Sequence, residues 1–377
     1  MSEFRNKSLL DTNSDLEHLH TFKSVPVSMG CTSNDRSGDI VADQIWDICK
    51  NTGIIQLRNP LDLDIVYKFP HNDGIGNVWE THYQKFTDFI TGCNISNVIE
   101  IGGGTGRLGK LFLQKNVNSK WTMIEPNHTY QPITMENFIH IRKWFTDDYD
   151  LGFEYDAIVH SHVFEHTYDP KQFLKTIYNQ ISEHKLHIFS FPNLKKFIKN
   201  RFTNALNFEH TAFLTEDITD ILLREVGFST IKKDYYGEHS IFYICKKSKP
   251  ELISYPSSIY EENKFLFLDY INFYKKEIEG LNTKIEQFDG NIFLFGAHIF
   301  SQFLIFNGLN TDGINCILDN SQMKQGNRLY GTNLFVKSPN ILQQETSAAI
   351  ILKTAAYNQE IKDQILNTIN NKVKFFE

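Results

Sequence analysis

Four glycines in five residues, Gly102-Gly103-Gly104-Thr105-Gly106, stand between an apolar run at 97–101 and a helical apolar period at 108–114. Glycine reaches backbone conformations closed to other residues, so the chain can turn here within a few residues and let another molecule approach its main chain. Residues 121–125 read as a second strand, stopped by Pro126. Strand, glycine turn, helix and strand in that order build a parallel sheet flanked by helices, whose ligands lie at the carboxyl ends of the strands.

The alternation continues along the chain. Residues 155–160 read as a strand, 170–181 as a helix opened by Pro170, 186–190 as a strand, 213–226 as a helix ended by Gly227, and 240–245 as a last strand. Phe267, Tyr270, Ile271, Tyr274, Ile278, Leu281 and Ile285 then mark one face of a connecting helix over 259–285. A fresh alternation follows, with strands at 292–295, 316–319 and 348–352 and a helix over 360–369. The first 85 residues show no clear period. The expected architecture is α/β: a small irregular cap over 1–85, a larger α/β domain over 86–248, and a second, smaller α/β domain with its linker helix over 249–377.

Composition narrows the partners. A net charge of -7 without a dense Lys/Arg block argues against nucleic acid, whose affinity comes from phosphate neutralisation. The sequence holds no apolar run of membrane-spanning length, and the first fifteen residues are polar rather than built like a secretory signal. Five scattered cysteines argue against a disulfide framework. A cytoplasmic protein with a small-molecule substrate, compatible with a homodimer, is expected.

The charges around the glycine turn choose among cofactors. The residue three after Gly104 is Arg107, so the run lacks the G-x-G-x-x-G spacing of a pyrophosphate site. Glu100, just before the glycines, would repel phosphate and suits a cofactor carrying an ammonium and a sulfonium. Glu125, at the end of the second strand, can accept hydrogen bonds from both ribose hydroxyls. The plainer reading is an incidental turn with a surface glutamate.

Three histidine-bearing stretches follow: Ser161-His162-Val163-Phe164-Glu165-His166, Asn207-Phe208-Glu209-His210 and Tyr236-Gly237-Glu238-His239-Ser240. The fold places the first at the rim of the crevice. A histidine can remove a substrate proton near neutral pH, particularly when a carboxylate orients it. Taken singly each is more often a hydrogen-bonded structural residue; clustering beside the crevice favours His166 and His210 over His239. The spacings show neither paired i, i+4 histidines nor close cysteine pairs, so no metal is expected.

Together, the turn and Glu125 resemble motif I and the following acidic motif of class I S-adenosylmethionine-dependent methyltransferases, which implies a Rossmann-like domain. The resemblance makes Glu100, Gly102, Gly103, Gly104, Gly106, Glu125, Ser161 and His162 the cofactor site. It sets Trp144 and Phe145 beside the adenine, although both could equally be core residues. Over nearly the whole chain the sequence is similar to the sugar C-methyltransferases of deoxysugar and surface-polysaccharide pathways, through Phe295-Gly296-Ala297, Asp319, Lys324-Gln325-Gly326, Gly331 and Ser338-Pro339. This likeness implies a nucleotide-linked keto-sugar substrate, with His210 as base oriented by Glu209 and the enolate oxygen met by His166 or His71. The chain departs from the family at Asn207, where a tyrosine is usual, at Phe300-Ser301 in place of Lys-Gly, and in lacking the cap's zinc-binding cysteine pairs, of which only Cys49 stands in place. Two alternatives stay open: O-methylation of a sugar hydroxyl activated by His210, and a non-catalytic scaffold. A nicotinamide-dependent oxidoreductase is disfavoured by the glycine spacing and Glu100.

Overall fold

The computed structural model describes residues 4–67, 76–127, 133–146, 152 and 154–377. Its main sheet has seven strands in the order Phe228–Tyr236, Ser240–Lys247, Leu186–Pro192, Ala157–Ser161, Asn97–Ile101, Lys120–Ile124 and Phe138–Ile141. The last five run parallel, with Val98 opposite both Trp121 and Ala157, and Ser240–Lys247 runs antiparallel to Leu186–Pro192. Strand order therefore reverses at Asn97–Ile101: the next strand in sequence lies on one side and a later one on the other. Such a reversal opens a crevice at the strand ends, and the glycine turn lies there.

Two of these strands escape the sequence pattern. Phe228–Tyr236 is an edge strand whose burial is mostly partial or absent beyond Phe228, with Lys232 over the Phe89 ring on one face and Lys233 bonded to Glu216 and Asp220 on the other. Charge on an edge protects it from pairing with other chains, at the cost of a visible apolar period. Phe138–Ile141 is only four residues long.

The second sheet is parallel throughout, in the order Val336–Lys337, Ile314–Leu318, Asn291–Phe295, Ala348–Ile351 and Lys374–Phe376. The 31-residue helix Ser257–Gln287 leads into it and buries Phe267, Tyr270, Tyr274, Ile278 and Leu281 on one face. This is the α/β pair expected from the alternation.

The N-terminal segment is ordered rather than irregular, which corrects the reading of its sequence. Leu16–Pro26 pairs antiparallel with Val41–Cys49, which pairs with Ile55–Leu57. Register shifts between His18 and His20 and between Phe22 and Val25 break the two-residue period, and Gln44 and Asp47 occupy buried positions. Asp47 is satisfied by Arg58, whose Nε and Nη2 donate to its two oxygens at 2.6 Å each. Buried polar positions and bulges are what hide a strand from apolar periodicity.

The sheet of the cap takes its fourth strand, Ala212–Phe213, from the larger domain, two residues after His210, with Ala212 opposite Gln56. Trp46 of the cap also lies 6.0 Å from Phe267, and Phe303 of the second sheet's first helix lies 4.9 Å from Tyr274. Cap, linker helix and second sheet thus close over one apolar cluster.

Arg5 pins this junction. Its guanidinium donates to the carbonyls of Tyr168 at 2.7 Å, Thr211 at 3.1 Å and Leu57 at 3.3 Å. Arg5→Ala leaves these acceptors without that donor, and a loss of about 2–4 kcal/mol is expected in urea unfolding. A change within experimental error would show that the junction holds without it.

Candidate cofactor and substrate site

The glycine turn adopts the conformation its composition allows. Gly102, Gly104 and Gly106 have φ of 68°, 54° and 71°, in the left-handed region. A Cβ on Gly102 would stand 2.7 Å from Val163 Cγ2, and one on Gly103 would stand 2.5 Å from Glu100 Oε2. No other residue fits this cradle without displacement, and the helix Arg107–Lys115 starts directly from it. Glu125 reaches across: its Oε2 accepts the Gly104 N–H at 3.1 Å and its Oε1 accepts the Asn127 N–H at 2.9 Å. Each carboxylate oxygen keeps a further lone pair beyond these bonds.

Glu100 is placed differently from expectation. Its side chain is 2% exposed, lies under Gly103, and accepts the Trp121 indole N–H at 2.7 Å. Burial pushes its carboxyl up to about 8, against the opposing pull of the Trp121 bond. A neutral acid beneath the turn shapes the loop; it does not face a cationic ligand, which corrects the ionic role inferred from its charge.

The other expected cofactor residues line the strand ends. Ser161 Oγ lies 2.8 Å from Ser190 Oγ and 3.1 Å from His82 Nε2. His162 carries a φ of 53°, and its ring spans from Ser240 Oγ at 2.9 Å to Glu165 Oε1 at 3.2 Å. Past the edge strand, Trp144 is 57% exposed, whereas Phe145 is half-buried with its ring 6.5 Å from Phe173.

Beside His162 a second group forms. Glu165 Oε1 stands 3.9 Å from His166 Nε2, and Glu209 Oε2 stands 3.5 Å from His166 Nδ1, which Tyr67 Oη approaches at 3.3 Å. The His166 and His210 rings are 5.0 Å apart. His210 Nδ1 lies between the Ala205 carbonyl at 3.2 Å and Asn207 Nδ2 at 3.4 Å, and these two contacts hold its ring. The expected orienting partner of His210 was Glu209; the Ala205 carbonyl fixes the ring and Glu209 sits against His166. Asn207, where the family has tyrosine, accepts the N–H groups of Glu209 and His210 through Oδ1 at 2.8 and 2.9 Å, and so sets the turn that presents them. Burial raises both carboxyls, Glu165 to about 7 and Glu209 to about 8, the latter also pushed by Glu165. His71 lies outside the described residues.

Sequence reasoning missed Glu165 and His82 as members of this region and passed over Tyr67 within the cap. Glu165 stood in the quoted motif, one residue from His166; nothing local singles out His82, which lies on the helix Asn77–Thr91.

A family profile for a methyltransferase domain matches residues 75–233, and one for the C-methyltransferase C-terminal domain matches residues 260–376. The chain is an S-adenosylmethionine-dependent methyltransferase, as glycine turn, strand order and profile agree. More particularly, its methyltransferase domain is followed by a C-methyltransferase C-terminal domain. Among solved structures, it is similar to an S-adenosylmethionine-dependent methyltransferase from Clostridium acetobutylicum, at 13% identity over 44% of this chain and 92% of that one, with a TM-score of 0.35. It is also similar to the methyltransferase domain of bacterial CtHen1-C, at 16% identity over 46% of this chain and 100% of that one, with a TM-score of 0.38. No curated protein sequence matches. No helix among the described residues is long and apolar enough to cross a membrane.

The buried Glu100 yields a pH prediction. Its carboxyl titrates near 4.5 when unfolded and near 8 when folded. Between those values the unfolded chain releases a proton that the folded chain keeps, so stability falls as pH rises through that window. Glu100→Gln keeps an acceptor for Trp121 and removes the titration. Urea unfolding from pH 5 to pH 8 is expected to show a smaller decline for the variant, by a few kcal/mol at most; parallel declines would remove Glu100 as their source.

Proposed function

We propose that the protein methylates a carbon next to a ketone in a nucleotide-linked sugar, within deoxysugar or surface-polysaccharide biosynthesis. The observation that carries this reading is the meeting of Tyr67, His166, Glu209 and His210 beside the glycine turn, with the His210 ring held by Ala205 and Asn207. The C-methyltransferase C-terminal domain supports carbon as the acceptor.

The residues fit the cofactor. The backbone of Gly102, Gly103, Gly104 and Gly106 allows its close approach, Glu125 accepts from the ribose, Trp144 and Phe145 flank the adenine, and Ser161 and His162 form the rim. Bound there, S-adenosylmethionine supplies a methyl group activated by its sulfonium. The His210 imidazole takes the proton from the substrate carbon, and positioning of that base supplies much of the rate. Glu165, drawn toward its charged form by His210, stabilises the imidazolium that results. Tyr67 Oη and His166, close to one another, hold the oxygen on which the enolate charge gathers.

The test is incubation of the full chain with nucleotide-linked keto-deoxysugars and a cofactor carrying a carbon-13 methyl. The expected product shows a C-methyl resonance; an O-methyl resonance would move the acceptor to oxygen, and transfer to none of the panel would reject the substrate class. His210→Ala is expected to lower kcat roughly 10²–10⁴-fold with S-adenosylhomocysteine affinity nearly unchanged in calorimetry. Retained turnover would take His210 out of the mechanism. Glu125→Ala is expected to weaken S-adenosylhomocysteine binding roughly tenfold or more, and unaltered affinity would relocate the ribose.

A further inference from the structure

Three histidines from three separate elements converge beside the proposed acid–base group. His82 comes from the helix Asn77–Thr91, His162 from the turn after strand Ala157–Ser161, and His239 from the turn before strand Ser240–Lys247. One ring nitrogen of each lies within 4.8 Å of the others. All three point at a single atom: Ser240 Oγ is 3.2 Å from His82 Nδ1, 2.9 Å from His162 Nε2 and 2.6 Å from His239 Nδ1. The geometry points to a binding site for a divalent zinc-class cation formed by His82, His162 and His239, at the point where the Ser240 hydroxyl gathers their three nitrogens.

The surroundings are those of ligating imidazoles. A metal-bound histidine is usually held through its other nitrogen by an oxygen acceptor or hydroxyl. His162 Nδ1 is held by Glu165 Oε1 at 3.2 Å, and His82 Nε2 by Ser161 Oγ at 3.1 Å, itself braced by Ser190. Trp79 lies edge-on to all three rings, with centroids 5.3, 4.8 and 5.0 Å from His82, His162 and His239, and shields the cluster. His162 reaches its place through a left-handed backbone that a non-glycine residue adopts only when its surroundings impose it. Three imidazoles suit zinc and its neighbours rather than magnesium or calcium. Tetrahedral zinc holds its nitrogens about 3.4 Å apart, so binding draws the rings together and ties the helix to the strand ends that border the crevice.

The assay uses the untagged full chain, stripped with chelator and then dialysed against zinc. The expected result is one zinc per chain by elemental analysis, a melting temperature that rises with zinc, and visible cobalt(II) bands of a tetrahedral nitrogen site after substitution. His239→Ala, on the accessible turn, is expected to lose the zinc and the thermal response while keeping S-adenosylhomocysteine binding. Glu165, His166 and His210 form the other group of metal-ligating side chains among the described residues, so His210→Ala is the control and is expected to keep its zinc. A folded wild type that takes up no zinc, retention by His239→Ala, or loss only in His210→Ala would each overturn the site. None of these readouts needs the sugar, so they fail or succeed apart from the proposed reaction.

Discussion

The site depends on a main chain held in left-handed turns over a buried acid. Gly102, Gly104 and Gly106 bring backbone to the surface of the crevice, and the Glu100 carboxyl fills the space beneath Gly103 while it accepts from Trp121. Each part constrains the others. A side chain on Gly102 or Gly103 would strike Val163 or Glu100, and a charged Glu100 would be buried away from solvent. The turn is therefore set in shape before any ligand arrives, so that a ligand meets it at little reorganisation cost.

Much of the framework was readable from residues alone because periodicity reports burial directly. The strand at 97–101, the helices begun by Pro170 and ended by Gly227, and the apolar stripe from Phe267 to Ile285 are all long, regular and half-buried or more. The cap was not readable, because two bulges and the buried Gln44 and Asp47 erase its two-residue period, and Arg58 arrives from eleven residues away to neutralise the aspartate. The lysine-bearing edge strand Phe228–Tyr236 was missed because charged Lys232, Lys233 and Asp234 stand among its apolar residues and Ile231 and Tyr235 are exposed, so no two-residue period survives.

The candidate site divides in the same way. Glycines and Glu125 lie within one strand-turn-strand unit, so their spacing carries their geometry. The histidines do not: His82, His162 and His239 are brought together from helix, strand end and hairpin, and only the sheet order places them side by side. Glu100 shows a subtler limit. Its position in the motif was plain, but whether it faces a ligand or Trp121 depends on which way the strand pleats, and that the letters do not state.

The two-residue strand Ala212–Phe213 bears on how such a chain can be taken apart. By joining the cap's sheet immediately after His210, it makes the loop bearing Glu209 and His210 a shared property of two regions far apart in sequence. Arg5, bonded to Thr211 and Tyr168, fastens the same loop from the N-terminus. A fragment trimmed to the methyltransferase fold would retain the glycine cradle and leave that loop without its template. The chain is thus divided in sequence and indivisible in use: exchanging the cap would exchange the register of the loop as well, and new substrate ranges would have to be sought with cap and loop moved together.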